Sequence, residues 1–352
     1  MSPQDWRFIQ KNPSQALTDV LIIQKLCEQF GIRPTRAAGQ NFLIEARIAR
    51  AMAECAEIGK DDTILEIGSG LGALTVVLAE QAGQVIAVEK DPRVFAAAKK
   101  ILEQYKNVEL TLGDILKIPL SPPLPKGEDK EFSPAKGSLP FAKGELERDL
   151  QKGRGREGFK LVSNLPYSIT SAVLRKFTEE EPKPELIVVM TQKEVAERVC
   201  AKPGEMSLLS VAVQFYAQPE IIEIVPRRMF WPIPEVDSAI LKIKIPLIPP
   251  FTKWEDSRYS PFQKGRDREE FTKKFFQIVR IGFSSRRKQL QNNLAAGLRL
   301  PNEEVKQILA KAGFDPRVRA QDLGVEEWAR LVERLTLGSR YPAIAGYLEP
   351  SV

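Results

Sequence analysis

Histidine is absent from the whole chain of 352 residues. That excludes a Ser-His-Asp triad, a Cys-His pair, an HExxH zinc site and any imidazole acid, base or pH switch. Whatever chemistry this chain performs runs without imidazole, and no metal site is expected. Cysteine is scarce: Cys27, Cys55 and Cys200 are odd in number and far apart. This argues against a zinc ribbon or a disulfide framework, and for small buried hydrophobes in a reducing compartment. Long apolar runs are also missing. Val20–Ile23 falls far short of the roughly 20 residues of a membrane span, and the N-terminus lacks the basic start and apolar core of a secretory signal. These features predict a soluble, cytoplasmic protein.

What is present suits a folded chain. The sequence is 43% apolar and 28% charged, and Lys and Arg outnumber Asp and Glu by 52 to 46, a net +6. Its length predicts one large or two ordinary domains. Residues 1–38 read as helical but peripheral, with Leu17, Leu21, Ile22, Leu26 and Phe30 at roughly helical spacing and Gly31 as a stop. A helix is predicted over 46–57. Apolar runs at 63–68, 85–91, 107–114, 159–167 and 184–192 then read as strands, with helices at 73–82, 92–105 and 171–180. Such alternation implies βαβ units and a parallel sheet covered on both faces. Strands at 220–226 and 236–245 bring the sheet to seven, mostly parallel. From 269 onward the segments are helical, at 269–283, 287–298, 302–313 and 325–336, which makes a small all-α C-terminal domain.

Two stretches break this plan. Residues 117–160 hold 6 Pro and 6 Gly in 44 residues, a density that predicts a flexible insertion. Residues 249–268 are alike in character. PPLPKGE at 122–128, LPFAKGELERD at 139–149 and SPFQKGRDRE at 260–269 share a sub-pattern, as copies of one short element inserted into surface loops would. Long loops tolerate this because closure entropy grows slowly with length. The competing reading is a basic RNA-gripping arm, since 117–160 carries 10 basic and 7 acidic residues.

The strongest local signal is ILEIGSGLGALT at 64–75. Gly68, Gly70 and Gly72 fall at a strand-to-helix turn, where missing side chains let a ligand approach the backbone. A dinucleotide site reads GxGxxG and points a helix N-terminus at pyrophosphate. Here the spacing is GxGxG with Glu66 just before it, which favours a ligand without phosphate, such as S-adenosylmethionine. Glu89, at the end of the next strand, suits both hydroxyls of a ribose and disfavours a phosphorylated one. Asp114, after the third strand, suits an exocyclic adenine amine.

Asn164-Leu165-Pro166-Tyr167 follows the fourth strand directly. An adenine amine is a poor nucleophile because its lone pair is delocalised into the ring. The Asn164 side-chain oxygen and the backbone carbonyl of Leu165 or Pro166 can each accept one of its N–H groups, holding the nitrogen in line with an electrophile. Pro166 stiffens the turn, and Tyr167 offers a face for stacking a base, worth about 1–3 kcal/mol.

With these motifs in this order, the chain resembles the ribosomal RNA adenine N6,N6-dimethyltransferase family. The likeness starts at GIRPTRAAGQNFLIEARI (31–48) and passes through ILEIGSGLGALT, VIAVEKD, LGDIL, SNLPYSIT and MTQKEVAERVCAKPG (190–204). It continues through SLLSVAVQFYAQPEIIEIVP and FWPIPEVDSAI to FFQIVRIGFSSRRKQLQNNL (275–294). GQNFL, NLPY and FxPxPxVxS together carry it. The resemblance implies a class I S-adenosylmethionine-dependent methyltransferase, Rossmann-like. It implies an N-terminal helical segment and cofactor-lid motif at 1–45, a catalytic domain at 46–248, a linker at 249–268 and an rRNA-binding helical domain at 269–340. Asn41 and Leu43 would line the cofactor site, Gly68 and Glu89 would meet the methionine and ribose parts, and Asp114 the adenine end. Asn164 would touch cofactor and target, while Tyr167 and Phe230 would enclose the target base. The implied reaction is dimethylation of N6 on two adjacent adenosines near the 3′ end of 16S rRNA, in an assembling small subunit, by a monomeric cytoplasmic enzyme. Departures are local: Ala37-Ala38 precede GQNFL where relatives carry a basic or bulkier pair, and the segment between Lys202 and Ser210 is short.

The basic charge fits an RNA partner. Residues 266–299 hold 9 Lys/Arg and 3 Asp/Glu, and Arg286, Arg287 and Lys288 form the densest cluster, suited to phosphate contacts. Three other readings stay open. A 23S rRNA dimethyltransferase of the macrolide-resistance type shares the motifs. A non-catalytic ribosome-assembly factor is opposed by the intact Asn164, Pro166, Tyr167 and Glu89. An NAD-dependent dehydrogenase is opposed by GxGxG and NLPY. On the insertion reading, deleting 121–157 leaves folding and activity intact; a large loss of either, seen by circular dichroism and a transfer assay, refutes it.

Overall fold

The computed structural model describes residues 1–34, 40–118, 158–246 and 268–337. The two expected insertions lie almost wholly outside these residues, as do Ala37 and Ala38. The chain divides into two units. One comprises Met1–Ala196 with Pro219–Ile245; the other comprises Glu197–Gln218 with the segment from Pro246 onward.

The first unit opens with three helices, α1 (Pro3–Lys11), α2 (Pro13–Ala16) and α3 (Val20–Phe30). Asp19 caps α3 by accepting from the Leu21 and Ile22 N–H groups, and Gly31 ends it at φ +63°, a left-handed conformation that costs glycine little. These helices are not peripheral. Ile9, Leu17, Ile23 and Leu26 are buried against Val76, Ala97 and Ile101, and each such burial contributes about 1.5–3 kcal/mol. Leu21 is instead 68% exposed, and its neighbour Ile23 faces inward in its place. Cys27 sits in the same core, where burial pushes its thiol up to about 11.

Next come β1 (Phe42–Leu43) and α4 (Ala46–Cys55), then the alternating elements β2 (Thr63–Ile67), α5 (Ala73–Gln81), β3 (Gln84–Glu89), α6 (Pro92–Leu102) and β4 (Val108–Leu112). β5 (Lys160–Asn164), α7 (Thr170–Glu179), β6 (Leu186–Gln192) and α8 (Lys193–Val199) follow. After α9 (Leu208–Tyr216), the unit closes with β7 (Gln218–Val225), β8 (Phe230–Trp231) and β9 (Ser238–Lys244). Seven strands form one sheet in the order β4-β3-β2-β5-β6-β9-β7. β2 pairs in parallel with both β3 and β5, and β9 runs antiparallel to β6. From β2 the chain winds outward to β3 and β4, then returns to place β5 on the other side. Open α/β sheets bind their ligands at the carboxyl ends of strands where this reversal occurs. Here those ends are Ile67 and Asn164.

The start of β5 is pinned by a buried cation. Lys160 Nζ lies 2.8 Å from the Asp62 carboxylate, 2.8 Å from the Glu57 carbonyl oxygen and 3.7 Å from Glu185. Lys160 thereby anchors the strand whose far end is Asn164.

The second unit is all-helical in its described residues: α9, α10 (Arg268–Gly282), α11 (Leu290–Leu298), α12 (Asn302–Lys311) and α13 (Val325–Leu337). By sequence pattern, residues 197–218 belong with the catalytic domain. The packing of α9 explains why it groups with the C-terminal helices instead. Val211, Ala212 and Phe215 enter a core with Phe271, Phe275, Leu294 and Trp328, and the Phe215 and Phe275 rings stand 4.4 Å apart. Ser207 and Ser210 cap α9 reciprocally, a start signal the strand-and-helix alternation obscured.

Asp62→Ala leaves a buried ammonium short of its partner, and is expected to cost about 3–5 kcal/mol in urea unfolding. Adding Lys160→Met should recover much of that loss. An Asp62→Ala variant as stable as wild type would show that the pair does not hold β5.

Candidate active site

The ends of β2 and β5 open into a cavity of about 460 Å³. Its floor is the glycine turn. Gly68, Gly70 and Gly72 all hold positive φ, at +76°, +56° and +92°, which is why the turn is written in glycine. A Cβ on Gly68 would lie 3.4 Å from Pro166 Cδ, so the glycine turn and the NLPY turn are in direct contact.

Two acids line the floor. Glu89 is 8% exposed. Its Oε2 accepts from the Gly70 N–H at 3.0 Å, and its Oε1 from Lys90 and Asp91 at 2.8 and 2.9 Å. Burial raises its pKa, against the pull of those three N–H groups. Glu66 is more extreme. Between the apolar neighbours Leu65 and Ile67 in strand β2 it is 1% exposed, and its Oε2 has no hydrogen-bond partner among the described residues. Burial pushes its carboxyl up to about 8, opposed by the Thr75 hydroxyl and reinforced by the like charge of Glu89. A cationic ligand with N–H donors would satisfy that oxygen and return both acids to the charged form.

Asp114 closes one side. Its carboxylate is paired with Lys90 Nζ at 2.9 Å and accepts from the Leu116 N–H at 3.2 Å. Burial raises its pKa, but the Lys90 bond and the Leu116 N–H outweigh it, and the group stays below its ordinary value. A further wall is built from two distant segments. β1 and β8 pair antiparallel, Leu43 opposite Phe230 and Phe42 opposite Trp231, and the Phe42 and Trp231 rings stack at 6.4 Å. Phe230 is thereby buried at the cavity edge beside Leu43 and Asn41. Gln40 ties this wall to the floor by donating to Asp91 at 3.0 Å.

The NLPY turn completes the site. The Leu165 N–H donates to the Met190 carbonyl at 3.1 Å. The Pro166 carbonyl already accepts from the Ile169 N–H at 3.1 Å and the Thr170 hydroxyl at 3.4 Å. Of the two carbonyls the sequence left open as amine acceptors, Pro166's is therefore occupied. Tyr167 lies in a 3-10 turn, Tyr167–Ile169, with its hydroxyl 2.7 Å from Ser238 Oγ. Burial raises the pKa of that hydroxyl.

Asn41, Leu43, Gly68, Glu89, Asp114, Asn164, Pro166, Tyr167 and Phe230 all line this one cavity. Arg286, Arg287 and Lys288 belong to the second unit, exposed in the turn between α10 and α11 rather than on a helix. Residues 33–337 match the family profile of ribosomal RNA adenine dimethylase. The chain belongs to the ribosomal RNA adenine dimethylase family. As a member it is an rRNA adenine dimethyltransferase, with the class I methyltransferase fold. It is 38% identical over 308 residues to ribosomal RNA small subunit methyltransferase A of Dehalococcoides mccartyi, covering 88% of this chain and 90% of the relative. The protein of the same name from Moorella thermoacetica is 38% identical over 313 residues, covering 88% and 95%. Among solved structures, the 23S rRNA methyltransferase ErmE is 28% identical with a TM-score of 0.58, covering 84% of this chain and 99% of that one. A dimethyladenosine transferase from Plasmodium falciparum, 24% identical with a TM-score of 0.58 and covering 82% and 95%, shares the fold.

In the sequence of this dimethyltransferase Glu66 stands out only as the acid before the glycine turn, and Ser238, Gln40 and Lys90 carry no signal of their roles. A lone acid in the apolar run TILEI was the available signal for Glu66. Ser238 closes the FxPxPxVxS motif, and only the fold reveals that it holds the Tyr167 hydroxyl. Nothing in the sequence pairs Gln40 with Asp91 or Lys90 with Asp114.

Glu66 makes ligand-free stability depend on pH. Its folded pKa of about 8 exceeds the ordinary 4.5, so between these values the folded state holds a proton that the unfolded chain releases. Stability therefore falls as pH rises through that window and levels off above it. Thermal unfolding from pH 5 to 8 should show this fall in wild type and a smaller one in Glu66→Gln, with Glu89 supplying the remainder. Equal slopes would refute the assignment.

Proposed function

We propose that the enzyme uses S-adenosylmethionine to dimethylate N6 of two adjacent adenosines near the 3′ end of 16S rRNA in the small ribosomal subunit. The observation that carries this is the meeting, in one cavity, of two buried acids on the β2 side and the NLPY turn on the β5 side. The donor set fits the cofactor: an unpartnered buried carboxylate oxygen suits a cation, and the glycine turn leaves backbone open to it. When bound, S-adenosylmethionine supplies an electrophilic methyl group on a sulfonium centre.

The chain's own residues do the rest. Glu66 and Glu89 hold the cofactor's positive charge and its ribose, with Asn41, Leu43 and Gly68 lining its methionine end and Asp114 its adenine end. Asn164 Oδ1 and the Leu165 carbonyl accept the two N–H groups of the target amine, since the Pro166 carbonyl is engaged elsewhere. That geometry favours localisation of the nitrogen lone pair and aims it. Tyr167 and Phe230 grip the base, which leaves its stack to enter the pocket. Ser238 fixes the Tyr167 ring through its hydroxyl. The methylated amine is acidic enough to lose its proton to water, so no imidazole is needed. Arg286, Arg287 and Lys288 contact RNA phosphates. The reading makes the enzyme a monomer of the cytoplasm; no described helix is long and apolar enough to cross a membrane.

The names of the similar proteins from Dehalococcoides mccartyi and Moorella thermoacetica support the small subunit. The likeness to ErmE favours a second reading, 23S rRNA. Incubation with methyl-labelled S-adenosylmethionine and undermethylated subunits of both sizes separates them. Label is expected on adjacent adenosines of 16S rRNA; label confined to 23S rRNA would establish the second reading, and none in either would overturn both. Asn164→Ala should lower the rate by about 10²–10³-fold.

A further inference from the structure

The second unit contains a cavity of its own, of about 240 Å³, which shares no lining residue with the active site. It brings together side chains from segments far apart in sequence: Glu197 and Arg198 from α8, Glu205 from the loop before α9, Phe283 and Arg286 from the turn after α10, and Gln321. The loop is locked in place. The Gly204 and Met206 N–H groups both donate to the Gln321 carbonyl, at 2.9 and 3.1 Å, and the Gln321 side-chain amide donates back to the Gly204 carbonyl at 2.9 Å. A cavity held this rigidly loses little entropy when it is filled.

Its chemistry is mixed in a particular way. Arg198 and Arg286 carry planar forks of donors, while Glu205 carries acceptors only and Glu197 adds a second negative charge to the lining. A bare anion is repelled by the two carboxylates and a simple cation by the two guanidinium groups. A flat ligand carrying donors and acceptors on its edges, with a phosphate attached, meets both signs at once, and Phe283 supplies an aromatic wall. That description is a nucleotide. Arg286 also opens the exposed Arg286-Arg287-Lys288 cluster, so an RNA strand drawn to the cluster arrives at the cavity. Proteins read single-stranded RNA through splayed-out bases held by stacking and edge hydrogen bonds.

We propose that this cavity takes one unstacked nucleotide of the rRNA, other than the adenosines being methylated, and so fixes the register in which the RNA lies on the enzyme. The proposal rests on the rRNA substrate described above. It assigns Arg198, Glu205 and Phe283 to RNA recognition, and separates Arg286 from its neighbours Arg287 and Lys288, which do not line the cavity.

The test measures binding of the full-length protein to whichever subunit takes label in the transfer assay, at two salt concentrations, together with chemical footprinting of the RNA. Arg198→Ala and Arg286→Ala should each weaken binding by about tenfold and expose one nucleotide away from the target adenosines. Arg286→Lys should resemble Arg286→Ala, because an ammonium keeps the charge but loses the planar fork. Arg287→Ala and Lys288→Ala should cost about threefold or less, an effect that fades as salt rises. Phe283→Leu, a milder change than truncation in a partly buried side chain, should expose the same nucleotide. Wild-type binding by Arg286→Lys, or equal losses at all four basic positions, would reduce the cavity to undirected charge and overturn the proposal. If wild type labels no rRNA, the functional reading fails with it; if label transfer proceeds and the four positions behave alike, the cavity alone fails.

Discussion

The active site depends on β2 and β5 lying side by side in parallel at the point where the chain reverses its winding. That pairing sets the end of one strand, with its glycine turn, against the end of the other, with its rigid Asn-Leu-Pro-Tyr turn. Gly68 and Pro166 touch at the seam. The backbone of one turn can therefore serve a donor molecule while the groups of the other serve an acceptor. The buried Lys160 at the opposite end of β5 ties that end of the strand to Asp62 and to the Glu57 carbonyl.

Much of this is legible in the sequence. A two-residue period against a 3.6-residue period separates strand from helix, and the glycine spacing and NLPY each carry a local physical rationale. All nine cavity residues expected from the sequence reach the same cavity. What was not legible depends on contacts across long stretches of chain. The N-terminal helices looked peripheral because amphipathic spacing reports that a face is apolar, not what it faces; Leu17 in fact reaches the cavity lining. The Tyr167–Ser238 hydrogen bond and the β1–β8 ladder join segments that share no local pattern.

The fate of α9 illustrates the same limit. Its nine residues are apolar enough to suit either unit, and the capping serines mark where it starts but not where it packs. Aromatic volume decides the matter: Phe215 packs on Phe275 and Phe276 of α10 and on its own neighbour Tyr216. The all-helical unit is consequently discontinuous in sequence, with strands β7, β8 and β9 threaded between its first helix and the rest.

The pairing of β1 with β8 has a consequence for how the enzyme comes into being. Leu43 and Phe230 stand opposite each other yet are separated by more than half the chain. During synthesis from the N-terminus, the glycine turn and both acids emerge first, while the strand that backs Asn41 and Leu43 does not yet exist. The wall of the pocket at Asn41 and Leu43 can therefore be completed only once Trp231 has left the exit tunnel. Until then Phe42 and Leu43 have no partner strand. Completing the site thus requires nearly all of the catalytic unit to have been made.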